Sequence, residues 1–219
     1  MHATSSFDLS CRRCVRLARY LDRVRQDHPA YHAKPVPSFG DARPNLLVVG
    51  LAPGLHGANR TGRPFTGDHA GRLLYATLYR HGYASAPVSC SGDDGLTLMA
   101  ARITNAVRCA PPENKPTAAE VGNCNAFLAE ELAQMPPGRT VLALGVIAHG
   151  AVLKALGLRA GAYKFAHGAV HALPGETILF DSYHCSRYNT QTGRLTPAMF
   201  DAVFRSIREH SAGLSHACR

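Results

Sequence analysis

At 219 residues the chain is long enough for one domain with a substantial apolar core and does not need disulfide staples. Lys and Arg total 24 against 15 Asp and Glu, a formal charge of +9 that suits a polyanion such as DNA and would equally suit an acidic membrane surface. No stretch approaches the roughly 20 apolar residues of a spanning helix, and the opening MHATSSFDLSCRRC has no apolar signal core, so a cytoplasmic protein is expected. The seven Cys of a chain in a reducing compartment point to metal ligation or buried thiols, not to a disulfide framework.

Residues 10–26 form an expected short basic helix, with Leu17 and Leu21 at helical spacing, followed by a polar, proline-containing stretch over 28–43. NLLVVG at 45–50 is an apolar run without a period of two that ends in glycine, as a buried parallel strand does. A glycine-rich loop follows, and 71–82 is expected to be helical, with Leu73, Leu74 and Leu78 facing inward. A second strand is expected at 101–105, a long helix at 117–134, a third strand at 140–145 (TVLALG) and a helix at 147–156. A fourth strand at 177–180 precedes SYH, and an amphipathic helix at 197–210 closes the chain, with a loose tail beyond it. Strands alternating with helices imply a three-layer α/β/α sandwich around a central, mainly parallel four-stranded sheet, in a single domain spanning 1–219.

Ligands of such sheets bind outside the carboxyl ends of the strands. Three segments sit at those ends: the loop after the first strand, 104–108 after the second, and 182–189 after the last. The 50–68 loop carries Gly50, Gly54, Gly57, Gly62 and Gly67, with Pro53 and Pro64 stiffening its turns. It contains neither GxxxxGK[ST] nor GxGxxG, which argues against triphosphate and dinucleotide sites. Phe65, an aromatic ring in a polar loop, needs either a stacking partner or a place to plug onto the sheet.

Three segments, GLAPGLHGANRTGRPFTGD at 50–68, ITNAVRCAPPENKPT at 103–117 and SYHCSRYNTQTGRLT at 182–196, together with the Cys pairs, resemble the uracil-DNA glycosylase superfamily, specifically its family-5 branch. The resemblance runs from residue 11 to 196 in the expected order. It implies an enzyme that flips a damaged nucleotide out of the duplex and hydrolyses its N-glycosidic bond, because the bond is out of reach in the stack. Phe65 is then the ring under the extruded base, and Asn105 the amide that reads its edge. His184 and the backbone N–H groups around Gly50 and Ala52 face the oxygen on which charge builds as the base departs. Without the resemblance, Asn105 would be a turn residue at a strand end and His184 a structural hydrogen-bonding group.

Many superfamily members place an acidic or amide side chain in the first motif to position water. Here Ala52 and Gly54 occupy that segment, as in the family-5 branch. Asn59 is the first candidate for the water and Asp68 the second, the latter also able to stabilise a cationic sugar; either could instead cap the helix near Ala70. The third motif reads HCS where the family commonly has HPS, and Cys185 in the proline position would free the backbone and loosen the loop. Ser186 is a candidate phosphate contact, Arg187 or Tyr188 a filler of the gap left by the flipped base, and Asn189 a holder of the turn.

Cys11 and Cys14 form a CxxC, and Cys109 and Cys124 lie further on. On spacing alone four thiolates suit zinc or an iron–sulfur cluster, with zinc the commoner. The resemblance reverses that order, since families 4 and 5 carry a [4Fe–4S] cluster on four such cysteines. Cys90, Cys185 and Cys218 are not expected to be ligands. His167 and His171, in HGAVH, would suit a metal on a helix, but Gly168 and AVHAL favour a hairpin. The resemblance implies a monofunctional uracil-DNA glycosylase, acting as a monomer, with hypoxanthine, xanthine and ethenocytosine as further bases; no loop lysine is placed for lyase chemistry. A catalytically silent DNA-binding protein and an iron–sulfur redox sensor are the alternatives from other classes.

Overall fold

One sheet contains six strands: β1 (Phe39–Gly40), β2 (Leu46–Gly50), β3 (Ala101–Asn105), β4 (Thr140–Leu144), β5 (Val170–Leu173) and β6 (Thr177–Ser182). Their order is β1-β3-β2-β4-β6-β5. The computed structural model describes residues 7–217, with side chains as far as Ser211. The four strands expected from the sequence are the central ones, all mutually parallel. The sheet has six strands, not four, because an antiparallel strand closes each edge: β1 on β3, and β5 on β6. β1 is only two residues long and lies in the proline-rich stretch, where no periodicity could reveal it. β5 and β6 form the hairpin expected around His171, turning through Gly175 and Glu176 at positive φ.

β2 shows why an apolar run without alternation belongs at the centre of a sheet covered on both faces. Leu46 and Val48 enter one core with Leu74 and Leu78 of α3 (His69–Arg80) and Phe200, Phe204 and Ile207 of α7 (Pro197–Ala217). Leu47 and Val49 enter the other, with Leu128 and Leu132 of α4 (Ala118–Gln134) and Val152 and Leu153 of α5 (Val146–Ala155). Each fully buried leucine contributes roughly 1.5–3 kcal/mol, so the two cores hold the helices to the sheet on both sides.

The first helix, α1 (Val15–Asp27), starts later than expected, with Cys14 at its N-cap. The α4 start is a capping box: the Thr117 hydroxyl accepts from the Glu120 N–H, and the Glu120 carboxylate accepts from the Thr117 N–H. Arg16 of α1 then clamps Glu120 with two hydrogen bonds of 2.8 and 2.7 Å, tying α1 to α4. α7 continues through Ala217, past the expected end at residue 210, since no proline or other strong breaker interrupts the segment. Two short helices, α2 (Ala58–Thr61) and α6 (Arg187–Gln191), lie within the functional loops.

Candidate active site

Parallel register brings Gly50 at the end of β2 beside Asn105 at the end of β3. β2 has β3 on one side and β4 on the other, so its carboxyl end is the switch point where such sheets bind ligands. The 50–71 loop leaves from there and is stitched to the next motif by Ala106 N–H to Gly50 O (2.9 Å) and Val107 N–H to Leu51 O (3.0 Å).

A cleft opens at this edge, lined by Leu51, Ala52, Gly54, Phe65, Asp68 and His69 from the loop, Asn105 and Asn114, and His184, Ser186 and Arg187 after β6. Three separate segments converge, as their positions after the strands imply. Phe65 is buried in the core and also lines the cleft, its ring near-parallel to the His184 ring (27°) at 5.9 Å. Its φ of 57° is left-handed, a strained conformation for a bulky residue that the surrounding glycines permit. A Cβ on Gly50 would meet the Asn105 Oδ1 at 2.4 Å and the Phe65 Cζ at 2.6 Å, and one on Gly71 would meet the Phe65 carbonyl oxygen at 1.7 Å. These two glycines let the ring and the amide reach the cleft together.

Asn105 is almost fully buried, and its Oδ1 has no hydrogen-bond partner. An orphaned buried acceptor costs roughly 1–3 kcal/mol, and here it lies at a cleft wall. Burial lowers His184 to about 4, so at neutral pH the ring is an uncharged imidazole. Asp68 caps α3, its Oδ1 accepting from the Gly71 N–H at 2.9 Å, while the residue also lines the cleft. Burial raises its carboxyl above the ordinary value, against the pull of the Gly71 and Ala70 N–H groups.

Asn59 is placed differently. It is fully buried under the loop, with Nδ2 donating to Leu55 O at 3.5 Å, and is not among the residues lining the cleft. As the second residue of α2 it points its side chain back under the turn. Cys185, in the proline position, has its side chain fully buried in the core. The turn is held by Asn189 Nδ2 to His184 O (2.8 Å), by Ser186 capping α6, and by His69 against Thr190 (2.9 Å). Arg187 lines the cleft mouth, and Tyr188 projects from α6 with 70% of its surface exposed. Asn114 was not among the expected site residues; its left-handed φ, after Glu113 with another, turns it towards the cleft, and asparagine is a residue that tolerates this conformation.

The four cysteines also meet. Cys11, Cys14, Cys109 and Cys124 line one small pocket with Phe7, Leu17, Val107 and Phe127. The Arg108 N–H donates to Cys124 Sγ at 3.3 Å and Asn123 Nδ2 to Cys14 Sγ at 3.6 Å. Burial, then the neighbouring sulfurs, pushes the Cys109 thiol up to about 12, a crowding that a cationic centre among them would relieve. No described cysteine is in a disulfide, Cys90 lies elsewhere, and Cys218 is outside the described residues.

A parallel sheet with its cleft at the switch point, an aromatic floor, an unpaired amide and a neutral histidine define an enzyme that takes up a planar, hydrogen-bonding ring. The model of the uracil DNA glycosylase superfamily matches residues 37–208, and the chain belongs to that superfamily, as a hydrolase of N-glycosyl bonds. Within it the chain is similar to type-5 proteins over most of its length. A type-5 uracil-DNA glycosylase of Thermus thermophilus is 50% identical over 91% of this chain and 93% of its own length. Those of Pyrobaculum aerophilum and Mycobacterium leprae are 45% and 44% identical, over 90% and 91% of this chain and 87% and 90% of theirs.

Proposed function

We propose that this chain removes uracil from DNA by hydrolysing the bond between the deoxyribose C1′ and the base, leaving an abasic site. The observation that carries it is the Asn105 Oδ1, buried and unpartnered at the wall of a cleft floored by Phe65. It needs a donor, and the N3–H of uracil is one; the ring N–H beside the carbonyl of hypoxanthine or xanthine is another, which supports tolerance of these bases. The base stacks on Phe65 after flipping out of the duplex. As the bond breaks, electrons collect on the departing base. The neutral His184 ring donates a hydrogen bond to its oxygen, helped by backbone N–H groups at Leu51, Ala52 and Gly54. Of the two candidates for the water and the cationic sugar, Asp68 is the one in the cleft. Arg187 or Tyr188 fills the gap where the nucleotide has left, and Ser186 contacts a phosphate.

The cysteine pocket fits a [4Fe–4S] cluster held by Cys11, Cys14, Cys109 and Cys124. Zinc at 2.3 Å from each sulfur would draw them to about 3.8 Å apart. Among the described residues the only trio of ligand atoms lying within 4.8 Å of one another is elsewhere, so no three of these sulfurs stand that close together. The bound cluster supplies a cross-link, joining the start of α1, the segment after β3 and α4.

The test is incubation with a uracil-containing duplex followed by alkali. Strand cleavage is expected with the wild-type protein, and with His184→Ala base release slower by about 10²–10³-fold, the usual cost of one such donor. An uncut strand with the wild-type protein would overturn the proposal.

A further inference from the structure

At the far side of the sheet from β3, three side chains outside the cleft and the cysteine pocket converge. His171 on β5 and Asp181 on β6 share a face of the hairpin: His171 pairs with Leu179, and Asp181 lies two residues on. α5 covers that face and supplies His149. The His149 Nδ1 is 2.8 Å from Asp181 Oδ1, and the His171 Nε2 is 3.1 Å from Oδ2. Asp181 is fully buried and His149 nearly so, while the His171 side chain keeps 14% of its surface exposed.

We propose that His149, His171 and Asp181 bind one divalent transition-metal ion of the zinc type. The His149 Nε2 lies 3.0 Å from the carbonyl oxygen of Tyr163, which can only accept, so that nitrogen carries the ring proton. The Nδ1 then faces a carboxylate oxygen at 2.8 Å, a contact that holds either a proton or a metal ion between the two atoms, and the His149, His171 and Asp181 ligand atoms all lie within 4.8 Å of one another. An imidazole N–H held by a backbone carbonyl, with the opposite nitrogen turned to the ion, is the usual support of a metal-bound histidine. Two imidazoles and one carboxylate are a ligand set that zinc accepts. Tetrahedral bonds of 2.0–2.1 Å place ligand atoms about 3.3 Å apart; here the two nitrogens stand 2.8 and 3.1 Å from the two oxygens of one carboxylate, and one ligand atom from each residue falls within 4.8 Å of the others. The rings of Tyr163 and Phe165 pack edge-on against His171 and His149, and the partly exposed His171 leaves a way in for the ion and for a water as fourth ligand. Such an ion would fasten α5 to the hairpin three residues before His184.

The test uses tag-free, full-length protein with its cysteine ligands occupied, dialysed against a chelator and then titrated with Zn²⁺, with zinc and iron counted separately. One zinc per chain is expected at unchanged iron content, with a rise in melting temperature. His171→Gln should weaken zinc uptake at least tenfold and abolish that rise. Zinc-edge X-ray absorption of the wild-type protein should show nitrogen and oxygen neighbours and no sulfur, a readout that needs no variant. No uptake by the wild-type protein, sulfur neighbours, or uptake unchanged in His171→Gln would each overturn the proposal, leaving the trio as a proton-sharing network.

Discussion

Two buried polar groups flank β3 and are treated in opposite ways. Glu131, nearly buried, accepts from Arg102 Nε at 3.1 Å, from Arg108 Nη2 at 2.6 Å and from the Ser38 hydroxyl. Burial alone would raise its carboxyl, but the two guanidinium groups and the hydroxyl hold it below the ordinary range. Asn105, at the end of the same strand, leaves its carbonyl oxygen with no partner. Saturation at Glu131 fixes how β3, the segment leading to Cys109 and α4 lie together. The open valence at Asn105 leaves binding capacity unspent until a ligand arrives. At these two positions, polar groups of similar burial divide into scaffold and site according to whether their hydrogen bonds are already made. An open valence marks a site only where it also borders a cleft, since the buried Asn59 Oδ1 is unpartnered too and lies away from it.

The comparison breaks most visibly at Gly50. Gly50→Ala forces Asn105 and Phe65 aside by contacts with the far ends of their side chains, so the sheet survives while both recognition groups move. A misplacement of this size costs about 10²-fold in rate, read as single-turnover base release, with a melting temperature close to wild type. An unchanged rate would mean that the amide does not read the base. Asp68→Asn is the next largest: asparagine still caps α3, so loss of the charge is expected to slow release by about 10-fold or more in keeping with a cleft carboxylate. Asn59→Ala, away from the cleft, should stay within a few-fold; the reverse ranking of these two variants would return the water to Asn59.

Glu131→Ala should do the opposite of Gly50→Ala. The buried Arg108 and the half-buried Arg102 lose their anion, a change that for a buried pair typically costs about 3–5 kcal/mol, measurable by denaturant unfolding. Well below the melting temperature, base release per folded molecule should stay near wild type. A large loss of rate without loss of stability would place Glu131 in the site rather than the scaffold.

The extent to which all this was legible depended on how local each cause is. β3 spans 101–105 as expected, and α4 begins at its capping box, because both are written in adjacent residues. Motif order along the chain placed Phe65, Asp68, Asn105 and His184 together, and cysteine spacing with the resemblance placed four thiols in one pocket. β1 was hidden because two residues gain strand geometry only by pairing with β3, a contact across more than 60 residues. The burial of Asn59, the left-handed turn that brings in Asn114, and the packing that replaces a proline at Cys185 all depend on tertiary neighbours. The trio of His149, His171 and Asp181 comes from a helix and two strands, and no spacing along the chain unites it.

The smallest expected effect concerns what the open site does with protons. Burial lowers His184 from 6.5 to about 4, so the folded chain binds this proton more weakly than the unfolded one. The stability this group contributes is complete above pH 6.5 and is lost as the pH falls towards 4. The ring is neutral over the working range, so no inflection belonging to His184 is expected from about pH 8 to about pH 5, and the one it causes should fall near the lowered value. Asp68 complicates the acid limb, because burial moves its carboxyl upward from the ordinary carboxylate value. The pH profile of Asp68→Asn separates the two: a limb that persists near pH 4 belongs to His184, and one that vanishes belongs to the carboxylate. A decline centred near 6.5 in both proteins would mean that the imidazole is solvated in the working enzyme, and the contrast between a dry, unpaired site and a saturated scaffold would then hold for Asn105 alone.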